Sequence, residues 1–288
     1  MKNQIILTAI AILFVNLSFS QSVGFKIYNA KGKEVTVEDM AEKMAKYDVV
    51  LLGELHNDPI SHWVQLKTTK LIGESGKELV LGAEMFEADN QLLLDEYTSG
   101  LIKTSNFEKE ARLWPNYKTD YKPLVEYAKE NDLQFVATNV PRRYASYVVK
   151  NGLEGLETLN DEAKSYIADL PILFDTLTPG YAEMMQMGMG HGMGIDPLNM
   201  VKAQAIKDAT MSQNILTNFP KKGIFIHYQG DYHSANKGGI YWYIQKTDAK
   251  KDVVALSTVS AENLDWDASY AGRAEFILVV DEDMTKTY

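Results

Sequence analysis

Val49-Val50-Leu51-Leu52-Gly53-Glu54-Leu55-His56 is the stretch that decides how the chain is built. Four branched apolar residues in a row read as a strand buried on both faces, as in the middle of a parallel sheet. Gly53 then permits tight backbone geometry and delivers Glu54 and His56 at the carboxyl end of the strand. That edge is where open α/β sheets hold ligands. A helix carrying His62 in its first turns follows.

The pattern recurs along the chain. Ile224-Phe225-Ile226-His227 leads into Gly230-Asp231-Tyr232-His233, so Gly, two residues and His appear a second time, with an acidic residue again after the Gly. Gly238-Gly239 follows and suits a close approach to a ligand or to neighbouring backbone. A third run, Leu79–Ala83, ends in Glu84, with Glu87 one turn later. A fourth ends at Asn139-Val140-Pro141-Arg142-Arg143, where Arg142 begins a helix whose free N–H groups also favour an anion.

The predicted strands are Val49–Leu52, Leu79–Ala83, Phe135–Thr138, Gly223–His227, Val253–Ser257 and Phe276–Val280. The predicted helices are Ile60–Ile72, Ala88–Tyr97, Tyr121–Glu130, Arg142–Lys150 and a long one from Pro197 to Phe219. Asp196-Pro197 supplies the long helix with an N-cap acceptor and a first-turn proline. Strands alternating with helices predict an α/β fold, an open and mainly parallel β-sheet flanked by helices.

In such a sheet the strand ends share one rim, and the rim carries Glu54, His56, Glu84, Arg142 and His233. Two imidazoles and one or two carboxylates suit a divalent metal such as zinc or manganese, with His56, Glu84 and His233 as ligands. The same residues can perform general acid–base work without a metal. Against both stands the plainer reading that each histidine is simply hydrogen-bonded at its strand end. His62 reads as a helix-surface or supporting residue, and His227, inside an apolar run, as a satisfied core histidine.

Between about residues 160 and 195 the chain reads as a helical or irregular, Met-rich insertion. Leu170–Gly194 contains Pro171, Pro179, Met184-Met185 and then Met187-Gly188-Met189-Gly190-His191-Gly192-Met193-Gly194. Long irregular segments inside compact domains are usually functional lids or disordered. Methionines make adaptable apolar surfaces. They can pack on the domain as a lid, line a flat apolar ligand such as haem with His191 near it, or form a soft copper site. Tyr181, Tyr228 and Tyr232 lie near this segment or the rim, and a tyrosinate can ligate haem iron. The sequence alone does not choose among the three.

Composition narrows the function classes. The net charge of −10, with no basic stripe, argues against a nucleic-acid partner. The absence of cysteine excludes disulfides, thiolate metal sites, iron–sulfur clusters and cysteine nucleophiles. Residues 1–20 read as a signal peptide: Lys2, an apolar run from Ile5 to Leu17, and small residues in Ser18-Phe19-Ser20 before a cut ahead of Gln21. A retained membrane anchor is the competing reading of that segment. Residues 21–288 then form a single domain, exported to the periplasm or secreted. Without a cysteine the protein is not lipid-anchored in the bacterial manner.

Taken together, Gly53-Glu54-Leu55-His56, Gly82-Ala83-Glu84-Met85-Phe86, Asn139-Val140-Pro141-Arg142, Lys202-Ala203-Gln204 with Asp208 and Met211, and Gly230-Asp231-Tyr232-His233 resemble the ChaN-type haem-binding, iron-regulated proteins of the wider TIKI/TraB/EreA-like group. The ChaN-like branch implies haem binding, with two haems stacked between the subunits of a homodimer, a tyrosine on the iron and a histidine at a propionate. The TIKI-like branch implies a metal-dependent hydrolase of peptides or esters using His56, Glu84 and His233, with Glu54 beside them. The chain departs from the pattern at Lys207, where an arginine is expected, and in lacking the lipidated cysteine. The expectation is an exported haem-binding protein in haem and iron acquisition, working with an outer-membrane haem-uptake system. Its haem contacts are expected among His191, Tyr181, Tyr232, Met187, Met189 and Arg142. The alternatives are the hydrolase and a binding module with neither property.

Overall fold

Side chains alternate across a strand, so the opening motif must contribute to two cores. Val49 and Leu51 pack on one face of the sheet with Met211, Ile215, Ile240 and Ile244. Val50 and Leu52 pack on the other with Met40, Met44, Val64 and Ile72. The computed structural model describes residues 23–186 and 196–288. The signal segment read over residues 1–20, and Met187, Met189 and His191, lie outside the described residues.

The strands are β1 (Phe25–Asn29), β2 (Glu34–Val35), β3 (Val49–Glu54), β4 (Glu78–Glu87), β5 (Gln134–Asn139), β6 (Gly223–Gly230), β7 (Val253–Ala261) and β8 (Phe276–Asp281), in the sheet order β2-β1-β8-β7-β3-β6-β4-β5. From β8 to β5 every pairing is parallel; β1 pairs antiparallel with both β8 and β2 at one edge. The open, mainly parallel α/β sheet expected from the sequence is the fold observed. The helices are α1 (Val37–Met44), α2 (Pro59–Gly73), α3 (Gln91–Thr98), α4 (Thr104–Glu110), α5 (Lys122–Glu130), α6 (Arg142–Asn151), α7 (Asp161–Lys164), α8 (Tyr181–Gln186), α9 (Pro197–Thr217) and α10 (Gly239–Thr247). Helices α9 and α10 cover the face of Val49 and Leu51, with α6 packed on α9, while α1 to α5 cover the face of Val50 and Leu52.

Local chemistry explains where the helices begin. Asp58 accepts a hydrogen bond from Ser61 N at 2.8 Å ahead of Pro59, and Asp196 accepts from Leu198 N at 2.9 Å ahead of Pro197. Both are N-caps followed by a proline that loses no hydrogen bond. Thr36 and Asp39 form a reciprocal capping box that starts α1.

Several elements differ from the sequence expectation. The edge strands β1 and β2 and the helices α1, α4 and α10 were not expected. Strand β4 runs on to Glu87, and its pairing with β5 shifts register between Ala83 and Glu87. A shift of this kind re-aims side chains beside a site. The insertion expected to be helical or irregular carries α7 and α8 in its described part.

The topology places the rim. Strand β6 inserts between β3 and β4, so that Glu54 stands opposite Gly230 and Ala83 opposite Tyr228. The chain steps outward from β3 to β4 and β5, returns at β6, and then builds β7 and β8 on the far side of β3. The carboxyl ends of β3, β6 and β4 therefore meet where the strand order changes direction, the crevice in which open α/β sheets bind ligands.

Candidate functional site

Three adjacent strand ends bring Glu54, His56, Glu84 and His233 together. Glu54 is buried among donors, with His62 Nδ1 at 3.5 Å from its Oε2. Its Oε1 accepts from the Tyr121 hydroxyl at 2.7 Å and faces His56 Nδ1 at 2.9 Å, while its Oε2 accepts from Gln65 at 2.7 Å. Burial alone would lower the basicity of His56. The hydrogen bond to Glu54 and the charge of Glu84 outweigh it and raise the imidazole above its ordinary value. The His56 side chain is 36% exposed and meets Trp114 edge-on at 4.9 Å.

His233 lives differently. It is 5% exposed and clamped between two carboxylates, with Nε2 at 3.1 Å from Glu84 Oε1 and Nδ1 hydrogen-bonded to Asp208 Oδ1. Burial opposes its charge, but Glu84 and Asp208 prevail and raise it to about 10, an imidazolium at neutral pH. The effect is mutual. Burial pushes Glu84 up, yet the His233 charge, His56 and the Gly230 N–H at 2.8 Å hold it well below the usual carboxylate range. Asp208 completes the chain by accepting from the Tyr181 hydroxyl at 2.6 Å.

The two glycines of the paired motifs serve each other. A Cβ on Gly230 would stand 2.7 Å from the His56 ring, and a Cβ on Gly53 would stand 2.8 Å from Leu256 O and 2.9 Å from Asp231 Oδ1. Each Gly is needed because the other motif packs against its backbone. Asp231, buried and pushed up by burial, accepts from Thr258 N at 3.0 Å and pairs with Arg273. Gly238 and Gly239 meet Pro179 O and His233 O in the same manner, so the close approach there is to backbone.

Above this floor lies a cleft of about 1250 Å³, more than the range of roughly 300–1,000 Å³ usual for a single small ligand. Its walls include Trp114, Val140, Val149, Met184 and Met200, with Tyr232 48% exposed. Arg142 and Lys207 also line it, and neither has an ion-pair partner among the described residues. Arg143, by contrast, is spent on Asp89 and on the face of Tyr144.

The sequence-expected residues thus separate. Glu54, His56, Glu84, His233, Arg142 and Tyr232 all line the cleft. Tyr181 does not: it is buried, and burial together with the Asp208 charge pushes its hydroxyl well above its ordinary value, so it stays a protonated donor. Tyr228 is buried against Thr69 at 2.7 Å. His227 bonds Thr138 and Gln229, and burial lowers it to about 4, a neutral core imidazole. His62 lies buried behind His56, 3.1 Å from its carbonyl, rather than on the helix surface.

A zinc or manganese ion on His56, Glu84 and His233 does not fit this arrangement. A metal-ligating imidazole must offer a free lone pair, whereas both nitrogens of His233 are engaged by the Glu84 and Asp208 carboxylates. Among the described residues no group of three or more His, Asp or Glu is placed to hold a metal ion. Asp208 and Gln204 entered the sequence reading only as parts of a motif. Their spacing of four, on a helix that also turns Met200 and Lys207 to the cleft, is the signal that marks a common face. Nothing periodic marks Trp114.

The ChaN structure of Campylobacter jejuni has the same architecture. A family model described as haem-binding uptake, Tiki superfamily, ChaN matches residues 40–244. ChaN of Campylobacter jejuni, whose solved structure is described as showing cofacial haem binding, superposes with a TM-score of 0.64 at 17% identity, over 89% of this chain and 97% of that one. A Bacillus cereus protein aligns with a TM-score of 0.49 at 11% identity, over 86% and 92% of the two chains. Among curated sequences, the chloroplastic protein RETICULATA-RELATED 5 of Arabidopsis thaliana is 24% identical over 187 residues, 61% of this chain. The chain spans 25% of the length of that relative.

Proposed function

The chain belongs to the ChaN family of haem-binding uptake proteins in the Tiki superfamily, and on that premise we propose that the rim cleft is a haem site serving haem and iron acquisition outside the cytoplasm. The observation that carries this reading is the cleft itself: a wide space with apolar and methionine walls, on which Arg142 and Lys207 have no carboxylate ion-pair partner among the described residues. A porphyrin is a flat apolar ring with two anionic propionates. The walls suit the ring, and the two cations suit the propionates in a protein whose net charge is otherwise −10. Methionine side chains, being polarizable and adaptable, favour contact with a flat ring. Tyr232 is a tyrosine of the cleft wall. When bound, haem supplies the iron that uptake delivers.

Export rests on residues 1–20, and transfer to or from an outer-membrane haem-uptake system is part of the same reading. A second copy facing the open side of the cleft, with its own haem, gives the homodimer. Titration of purified protein with haem tests the reading. A saturable Soret shift at micromolar haem is expected, and its absence rejects the function.

A second reading draws on one observation. His56 is a partly open imidazole backed by Glu54 at 2.9 Å and reaching into the cleft, the arrangement of a general base held in one orientation. It supports metal-free hydrolysis of an ester or amide. Turnover of such substrates that is lost in His56→Ala supports this reading, and no turnover above the His56→Ala background rejects it.

A further inference from the structure

The residues after β8 are held against the domain. Thr287 donates from its backbone N–H to Asn57 O at 3.0 Å and from its hydroxyl to Asp120 Oδ2 at 2.7 Å. Lys286 Nζ stands 3.5 Å from Asp58 Oδ2. Asp58 and Asp120 are both buried, at 0% and 4% exposure. Hydrogen bonds to desolvated carboxylates are among the stronger kind, so these anchors exceed what an exposed tail normally makes.

The anchors are also placed at the site. Asn57 directly follows His56. Asp120 bonds Asn116, and Asn116 with His62 holds the His56 carbonyl, at 2.8 Å and 3.1 Å. The next residue, Tyr288, lines the cleft while remaining 60% exposed. Trp114 lines the same cleft from the α1–α5 side of the sheet, the side that holds the tail's anchors, whereas Arg142 and Lys207 reach it from α6 and α9 on the other side.

We propose that residues 286–288 are a strap belonging to the ligand site, and that Tyr288 with Trp114 forms its aromatic wall, opposite the wall that carries Arg142 and Lys207. Such a cleft selects a flat, conjugated, anionic ligand: rings gain from offset stacking or edge contact on one wall, and acid groups from the cations on the other. The inference rests on the haem reading and assigns to it residues that lie outside both Gly-x-x-His motifs.

Haem titrations of the whole chain test it, comparing wild type with Tyr288→Ala, Tyr288→Phe, the anchor variant Lys286→Ala/Thr287→Val, and the remote control Lys150→Ala. Tyr288→Ala is expected to weaken binding about tenfold, as the loss of one aromatic contact does. Tyr288→Phe restores most of that loss. The anchor variant reproduces the loss of Tyr288→Ala, with the thermal midpoint of each variant close to wild type, so that misfolding is excluded. Wild-type haem binding that Tyr288→Ala leaves unchanged overturns the strap and spares the haem reading. Failure of wild type to bind haem removes both.

Discussion

The two Gly-x-x-His turns are nearly the same in sequence and opposite in physical state. His56 has one carboxylate behind it, an edge of Trp114 beside it and more than a third of its side chain open to the cleft. His233 has a carboxylate on each nitrogen and almost no exposure. The first can change partner or protonation when a ligand arrives. The second is the central cation of a buried chain, Glu84–His233–Asp208–Tyr181, that ties β4, β6, α8 and α9 together beneath the cleft. A shared motif therefore marks a shared position at the rim, and the number of carboxylates at that position decides the role.

The largest expected effect breaks this contrast most directly. His233→Ala leaves Glu84 and Asp208 buried without their counter-charge and should cost about 3–5 kcal/mol in urea unfolding, the usual cost of orphaning one side of a buried pair. His56→Ala should cost about 1 kcal/mol or less, because Tyr121 and Gln65 still satisfy Glu54. Equal costs would erase the distinction.

The pH dependence follows with a definite sign. His233 is raised from 6.5 to about 10 on folding, so its contribution is complete below the unfolded value and is lost as pH rises through the folded one. Stability should fall between pH 6.5 and 10, and His233→Gln should flatten that slope. A wild-type slope that survives the substitution would place the alkaline loss elsewhere.

The glycines come next. Gly53→Ala pushes a Cβ against the Leu256 carbonyl, which is backbone and cannot step aside, and should cost about 1–3 kcal/mol in unfolding free energy. Gly230→Ala crowds the His56 ring, which can swing into the cleft, and reaches only ordinary contact with Glu84 Oε2 at 3.5 Å. It should cost less stability while disturbing ligand binding more. The smallest effect is Arg142→Ala, which should weaken haem binding a few-fold, as an exposed ion pair does, with Lys150→Ala as the unaffected comparison.

The sheet was legible because all of its central strands are buried on both faces. Val49–Leu52, Leu79–Ala83 and Ile224–Ile226 are apolar runs that no helix period explains, and their ends lie at the rim as expected. The edge was not legible: β2 is two residues long and β1 has only two buried side chains. Helix α1 carried a readable cap in Thr36-Val37-Glu38-Asp39, but its eight residues give too short a stripe to stand out.

At the site, Glu54, His56, Glu84 and His233 were legible from position alone. Their states were not, because these depend on residues distant in sequence: Asp208 for His233, Tyr121 and Gln65 for Glu54. Tyr181 was one of three tyrosines the sequence could not choose among, and its hydroxyl donates to the distant Asp208. Tyr288 gave no signal, since its place depends on where the tail lands rather than on any pattern around it.

The measurement that reaches the central claim most directly is the structure of the protein with haem bound. That structure should show a porphyrin in the cleft above Glu54, Glu84 and Gly230, with its propionates paired to Arg142 or Lys207. Haem seated outside that cleft, with both cations unengaged, would contradict it.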